Sequence, residues 1–315
     1  MIGHRLLLHA FFLTVAPVIV AWFGLSVPAA VGLVLLLLLW RWLAVLSGLA
    51  VPAKTPAIVL TTISASHFVE KVRWCMDRLG LDYVERPAGG ALGAFFLGRT
   101  VPQLKVRTGA VQSVIGNSAE ILRYLWGRYS VDDPQAAEFL EPTKQRIDLE
   151  ARLDRYGANL QVWVYYHLLD NRDLTLHAWG ANDRATPYWQ RLLLKALYPV
   201  LRVLMRRTFR ISEAHYQKSV ENIEKLLADA EERLDNDAKS LLGDAQANYV
   251  DLQFAAFSAL WLMPPEFGGG KAAGVRIEKE TTPQAMQEDI DKWSAGYPRV
   301  VQHVARLYRE QRNTI

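Results

Sequence analysis

A single cysteine, Cys75, among 315 residues leaves no partner for an intramolecular disulfide and no Cys-x-x-Cys redox pair. The seven histidines have no metal-ligand spacing and there is no Gly-x-Ser-x-Gly elbow, so neither a zinc site nor an α/β-hydrolase nucleophile is signalled. Gly268-Gly269-Gly270-Lys271 lacks the upstream glycine and the following Ser or Thr of a phosphate loop, and it reads as a mobile turn after Pro264-Pro265. Acidic residues are missing altogether before Glu70, where Arg5, Arg41 and Lys54 are the only charged side chains. Removing these three from the 36 basic residues leaves 33 against 32 acidic ones. That near-neutral remainder gives no reason to expect a nucleic-acid partner.

The same N-terminal stretch is rich in apolar residues. Leu6 to Leu25 supplies 20 residues without formal charge, with His9 and Thr14 as polar interruptions, enough to cross a hydrocarbon core of about 30 Å. Ser26-Val27-Pro28 breaks the run, and Ala29 to Leu49 forms a second apolar segment with Arg41 as its one charge, flanked by Trp40 and Trp42. The expectation is a transmembrane helical hairpin over residues 1–50, with the bilayer as a partner and the globular part facing the cytoplasm, because positive flanks favour that side. A single span with an interfacial helix, and a buried soluble hairpin, are the alternatives. Ser47 to Pro56 reads as the linker.

Beyond the linker, Ala57-Ile58-Val59-Leu60-Thr61-Thr62 is β-branched and bounded by Pro56, the pattern of a short buried strand. Phe68, Val72, Cys75, Met76 and Leu79 then recur at helical spacing, which puts Ser66 at a helix N-cap and Cys75 on the core side. A Ser there either caps its own helix or, with the unpaired N–H groups of the first turn, faces a negatively charged ligand. Strands are expected over Leu81 to Glu85, Thr100 to Val106 and Val111 to Ile115, with Pro102 at the entrance of the third and a turn at Thr108-Gly109. Asn117 or Ser118 caps the next helix.

Strand, helix, strand, Val-Pro, hairpin and capped helix, in that order, resemble the glutathione transferase superfamily. Its Ser-Pro-Phe turn reads here as Ser66-His67-Phe68, its cis-proline pair as Val101-Pro102, and its Glu-Ser or Asp-Ser pair as Asn117-Ser118. Lys71-Val72-Arg73 stands where Ser-dependent members carry Arg-Val-Arg, and Leu242 to Leu252 is similar to the superfamily's capping-box segment. The likeness covers roughly residues 57 to 312. Asn117 departs from the usual acid and brings no charge; Asn248 replaces a capping Ser or Thr, a mild change because Asn caps equally well.

The resemblance implies an α/β thioredoxin-like domain over residues 51–130 followed by an all-α helical domain over 131–315. It further implies a glutathione-dependent transferase with glutathione as co-substrate and a small, apolar electrophile, and it leaves a homodimer open. Ser66 would stabilise the glutathione thiolate, the Val101 backbone would bind the cysteinyl part with Pro102 holding it in place, and Asn117 with Ser118 would hold the γ-glutamyl end. Trp163, Tyr165 and Tyr166 are candidates for the electrophile wall. The alternatives are a non-catalytic binding or scaffolding protein at the membrane, and an isomerase or dehalogenase using the same site.

Amphipathic helices are expected at about 141–169, 186–209, 212–236, 249–262 and 297–311. Between Tyr188 and Phe209, Arg191, Lys195, Arg202 and Arg206 share one face while leucines line others. That face reads either as solvated or as resting on anionic headgroups.

Overall fold

The computed structural model describes residues 26–50, 57–90, 92, 101–108, 111–234 and 238–312. Strand β1 (Ala57–Thr62) alternates toward burial as its β-branched sequence requires, and helix α2 (His67–Arg78) crosses over to β2 (Val84–Pro87), which pairs parallel to β1 with Val59 opposite Val84. Strands β3 (Gln103–Thr108) and β4 (Val111–Gly116) complete a four-stranded sheet in the order β2-β1-β3-β4. The second strand starts three residues later than expected because α2 uses that chain for its own ending. Gly80 takes φ 63°, and the Leu81 N–H returns to the Met76 carbonyl at 3.1 Å, the closure that glycine just past a helix end permits. The second residue of the expected Thr108-Gly109 turn lies outside the described residues, as do Thr100 and the 51–56 part of the linker.

Helices follow the sheet: α3 (Ser118–Tyr129), α4 (Lys144–Leu168), α5 (Arg172–Ala178), α6 (Tyr188–Thr208), α7 (Glu213–Arg233), α8 (Tyr249–Leu262), α9 (Gln284–Gly296) and α10 (Pro298–Gln311). The α/β layer followed by helices has the expected order of architecture. Helices α5 and α9 have no counterpart among the expected elements; α9 does carry a signal, since Met286, Ile290 and Trp293 recur at helical spacing and are all buried. Helix α8 is apolar all round and buried from Tyr249 through Ala259, the signature of a central core helix. It packs on α2 and α4.

The chain divides into two units. One holds α1 (Val27–Ala50) with residues Val106–Ser113, and the other holds Ile58–Lys105 and the chain from Val114 onward. Helix α1 runs 24 residues with Arg41 as its one charge, and its described side chains end at Leu43. Among the described residues no helix is long and apolar enough to cross a membrane. The expected transmembrane hairpin therefore finds no support in the fold, and its first run, Leu6 to Leu25, lies outside the described residues.

The glycine turn is a correction. Gly268, Gly269 and Gly270 all have positive φ, and the first two are buried. The Gly268 N–H donates to Glu70 at 3.0 Å, and a Cβ on Gly269 would meet the Arg312 guanidinium at 2.8 Å. The segment is a packed loop whose glycines allow close approach of backbone to buried charges.

At the start of α8, Asn248 accepts from the Val250 N–H at 2.9 Å, while the buried Asp251 carboxylate accepts from Asn248 N at 2.9 Å and Leu241 N at 2.8 Å. Asp251→Ala leaves two buried N–H donors without partners, so the chain is expected to lose about 2–4 kcal/mol of stability. Urea denaturation followed by tryptophan fluorescence checks this; an unchanged midpoint would contradict it.

Candidate functional site

The β1–α2 junction is built by its neighbours. Ser66 N donates to the Ile63 carbonyl at 2.8 Å, turning the chain out of the strand, and the Ser66 carbonyl accepts from Glu70 N at 3.0 Å to open the helix. Ser66 sits at the N-cap with φ −77° and ψ 125°, half-buried, and its hydroxyl makes no cap hydrogen bond. A Ser in this position ordinarily caps N2 or N3. Here the first turn keeps its donors without using the side chain that precedes it.

His67 holds that junction against α4. Its Nε2–H donates to the Gly157 carbonyl at 3.0 Å, and the ring lies 4.3 Å from Phe68 and 4.8 Å from Phe257 between centroids. Burial lowers its pKa from 6.5 to about 3. Since a carbonyl only accepts, the proton is on Nε2 and the ring is neutral. It is thus committed to the core. Gly157 is required there, because a Cβ would meet the Phe257 ring at 2.7 Å.

The other expected site residues end adjacent strands. Half-buried Val101 and buried Pro102, joined by a cis bond, lead into β3, while Asn117 and Ser118 follow β4. Strands β3 and β4 are sheet neighbours with two residues of chain between them, which only antiparallel pairing allows, so these two pairs lie at the same end of the strand pair. Ser66 follows β1, the neighbour of β3. Asn117 is exposed with φ 69° and ψ 132°, a backbone state costly for any residue but glycine, and its Oδ1 accepts from Ala119 N at 3.2 Å. Ser118 is buried.

The Lys71-Val72-Arg73 motif serves the core. Lys71 Nζ lies 2.7 Å from Glu150, which also accepts from Arg123 and from the Tyr249 hydroxyl. Arg73 bridges Glu70 at 2.9 Å and Glu85 at 2.7 Å. Both cations are fully buried. Cys75, on the expected core side, is buried too, which pushes its thiol up to about 12 and keeps it protonated. No cluster of potential metal ligands occurs among the described residues.

Next to Ser66, Ala65 lines an apolar cavity of ≈ 100 Å³ shared with Val164, Leu168, Leu260, Met263 and Ile277, with Arg276 as the one charged side chain in its wall among the described residues. Trp163, Tyr165 and Tyr166 are not among the residues that line this cavity. Trp163 is buried and donates to Asp289 at 2.7 Å, Tyr165 stacks on Phe209 at 5.1 Å, and Tyr166 stacks on Tyr216 at 4.0 Å. Val164 and Leu168, four residues apart on α4, line this cavity.

No family model matches the chain, and no curated protein matches it. Among solved structures, it is similar to an apo theta-class glutathione S-transferase from Xanthomonas axonopodis pv. citri at 20% identity, over 79% of this chain and 97% of that one, with a TM-score of 0.36. An apo glutathione S-transferase III gives 18% identity over 79% and 96% with a TM-score of 0.42. A maleylacetoacetate isomerase from Anaeromyxobacter dehalogenans, with glutathione in its active site, gives 16% identity over 82% and 99% with a TM-score of 0.35.

The buried His67 generates a pH dependence. Above about pH 6.5 it is neutral folded and unfolded; below, the unfolded chain takes up the proton first, so stability falls between pH 6.5 and 3. The slope is at most about 1.4 kcal/mol per pH unit. His67→Gln keeps a donor for Gly157 and removes the titration, so urea midpoints measured across this range should fall less steeply than in the parent. Equal slopes would contradict the assignment.

Proposed function

We propose that the chain is a glutathione-dependent transferase of the glutathione transferase superfamily. The observation that carries the reading is the Ser66 hydroxyl, placed at a helix N-cap and not used to cap, beside an apolar cavity that its neighbour Ala65 lines. A hydroxyl there donates to the glutathione sulfur, and with the positive end of α2 it stabilises the thiolate, which is the nucleophile. The Val101 main chain pairs with the cysteinyl part as an added strand, held by Pro102. Ser118 and Asn117 take the γ-glutamyl end. With Oδ1 turned to Ala119, the Asn117 amide offers N–H donors, which suit the carboxylate of that end better than its ammonium. The cavity receives an apolar electrophile. On the same reading the globular part divides into a thioredoxin-like domain over 51–130 and a helical domain over 131–315.

A binding or scaffolding role is the second reading, favoured by Asn117, which supplies no charge where an acid is expected and spends its carbonyl on its own helix. The N-terminal segment supports integral membrane attachment through its 20 uncharged residues and its lack of acidic side chains, with the globular part facing the cytoplasm. Carbonate extraction would release the protein if that attachment is wrong.

Ser66→Ala is expected to leave glutathione binding by calorimetry within a few-fold of the parent while lowering turnover about a hundredfold and weakening the ultraviolet thiolate band of the complex. No detectable binding by the parent chain at millimolar glutathione would overturn the enzyme reading and leave the scaffold.

A further inference from the structure

We propose that α6 is a membrane-surface helix whose outward face docks on anionic lipid. The helix is held to the protein by one stripe: Leu194, Tyr198, Leu201 and Met205, spaced four, three and four apart, are buried in a cluster with Val162, Leu169 and Trp179. The opposite stripe, Trp189, Leu192, Val200 and Val203 with Leu197 and Leu204 beside it, is exposed, Val200 by 57%. Outside α1, seven of the eleven large apolar side chains exposed among the described residues lie on this one helix. Scattered exposed leucines need no explanation, whereas a contiguous stripe marks an interaction surface.

Charge selects the partner. Helix α6 contains five basic residues and no acidic one, with Arg191, Lys195, Arg202 and Arg206 along one flank of the apolar stripe and Arg207 near its C-terminal end. Asp170, outside the helix, pairs with Arg202 at 2.5 Å and Arg206 at 2.9 Å. Lys195 on the flank and Arg207 at the C-terminal end of the stripe are exposed. An apolar face flanked by cations, with Tyr188 and Trp189 at its start, matches a helix lying in the headgroup plane, aliphatic side chains inserted and basic heads among anionic lipids. A second copy of the chain fits poorly, since a two-fold contact would set two flanks of net positive charge against each other. Glutathione chemistry plays no part in this inference, so it stands or falls apart from the proposed function.

The test uses the full-length chain with Val200→Cys carrying an environment-sensitive fluorophore; Cys75 is fully buried and does not compete for the label. The protein is presented by detergent removal to phosphatidylcholine vesicles with or without phosphatidylglycerol. Anionic vesicles should blue-shift the label and lower its iodide quenching constant several-fold, with the effect reversed by high salt and by Lys195→Glu combined with Arg207→Glu. Equal protection in both vesicle types, no protection in either, or a concentration-dependent shift without lipid that signals self-association would each overturn the proposal.

Discussion

The buried charges of α2 are the constraint on which the candidate site depends. Glu70, Lys71 and Arg73 are all fully buried on a twelve-residue helix, and each is met by an oppositely charged group from another part of the chain. Lys71 ties α2 to Glu150 on α4, and Glu70 ties it to Arg312 at 2.8 Å, just past the end of α10. Asp77 adds a second bond to Arg312, also at 2.8 Å. Such pairs are weak evidence of net stability, because desolvation offsets most of the attraction. Removing one partner, however, strands a buried charge and costs roughly 3–5 kcal/mol. Their effect is therefore positional: α2 has one seat in which Glu70, Lys71, Arg73 and Asp77 are all matched.

That seat fixes the N-terminus of α2 as well as its body. His67 closes the first turn onto Gly157, and the buried loop at Gly268 brings a backbone N–H onto Glu70. Ser66, one residue before His67, is thereby held at the end of β1 without lending its hydroxyl to the helix. On the proposed function Ser66 is a nucleophile-stabilising donor, which has to be in place before the ligand arrives, and core packing would supply that placement.

The order of elements is legible in the sequence because each carries a local signal: β-branched strands, a Val-Pro entrance, polar caps and helical apolar spacing. Asn248 and Asp251 form the expected capping box, and Val101-Pro102 is cis. What escapes detection depends on long-range partners. Lys71 and Arg73 read only as part of a family motif until Glu150 and Glu85 are placed beside them. Gly268 to Gly270 resemble a loose turn until Glu70 and Arg312 occupy the space their missing side chains leave. The cavity wall is hidden for a related reason: consecutive residues 163 to 166 point to different sides of α4, and only tertiary packing decides which side is hollow.

A crystal structure of the full-length chain grown with glutathione tests the central claim most directly. The account predicts the glutathione sulfur within hydrogen-bonding distance of Ser66 Oγ, with the cysteinyl backbone paired to Val101 and His67 still donating to Gly157. Glutathione bound with its sulfur away from Ser66, or a Ser66 hydroxyl turned back to cap α2 in the complex, would contradict it.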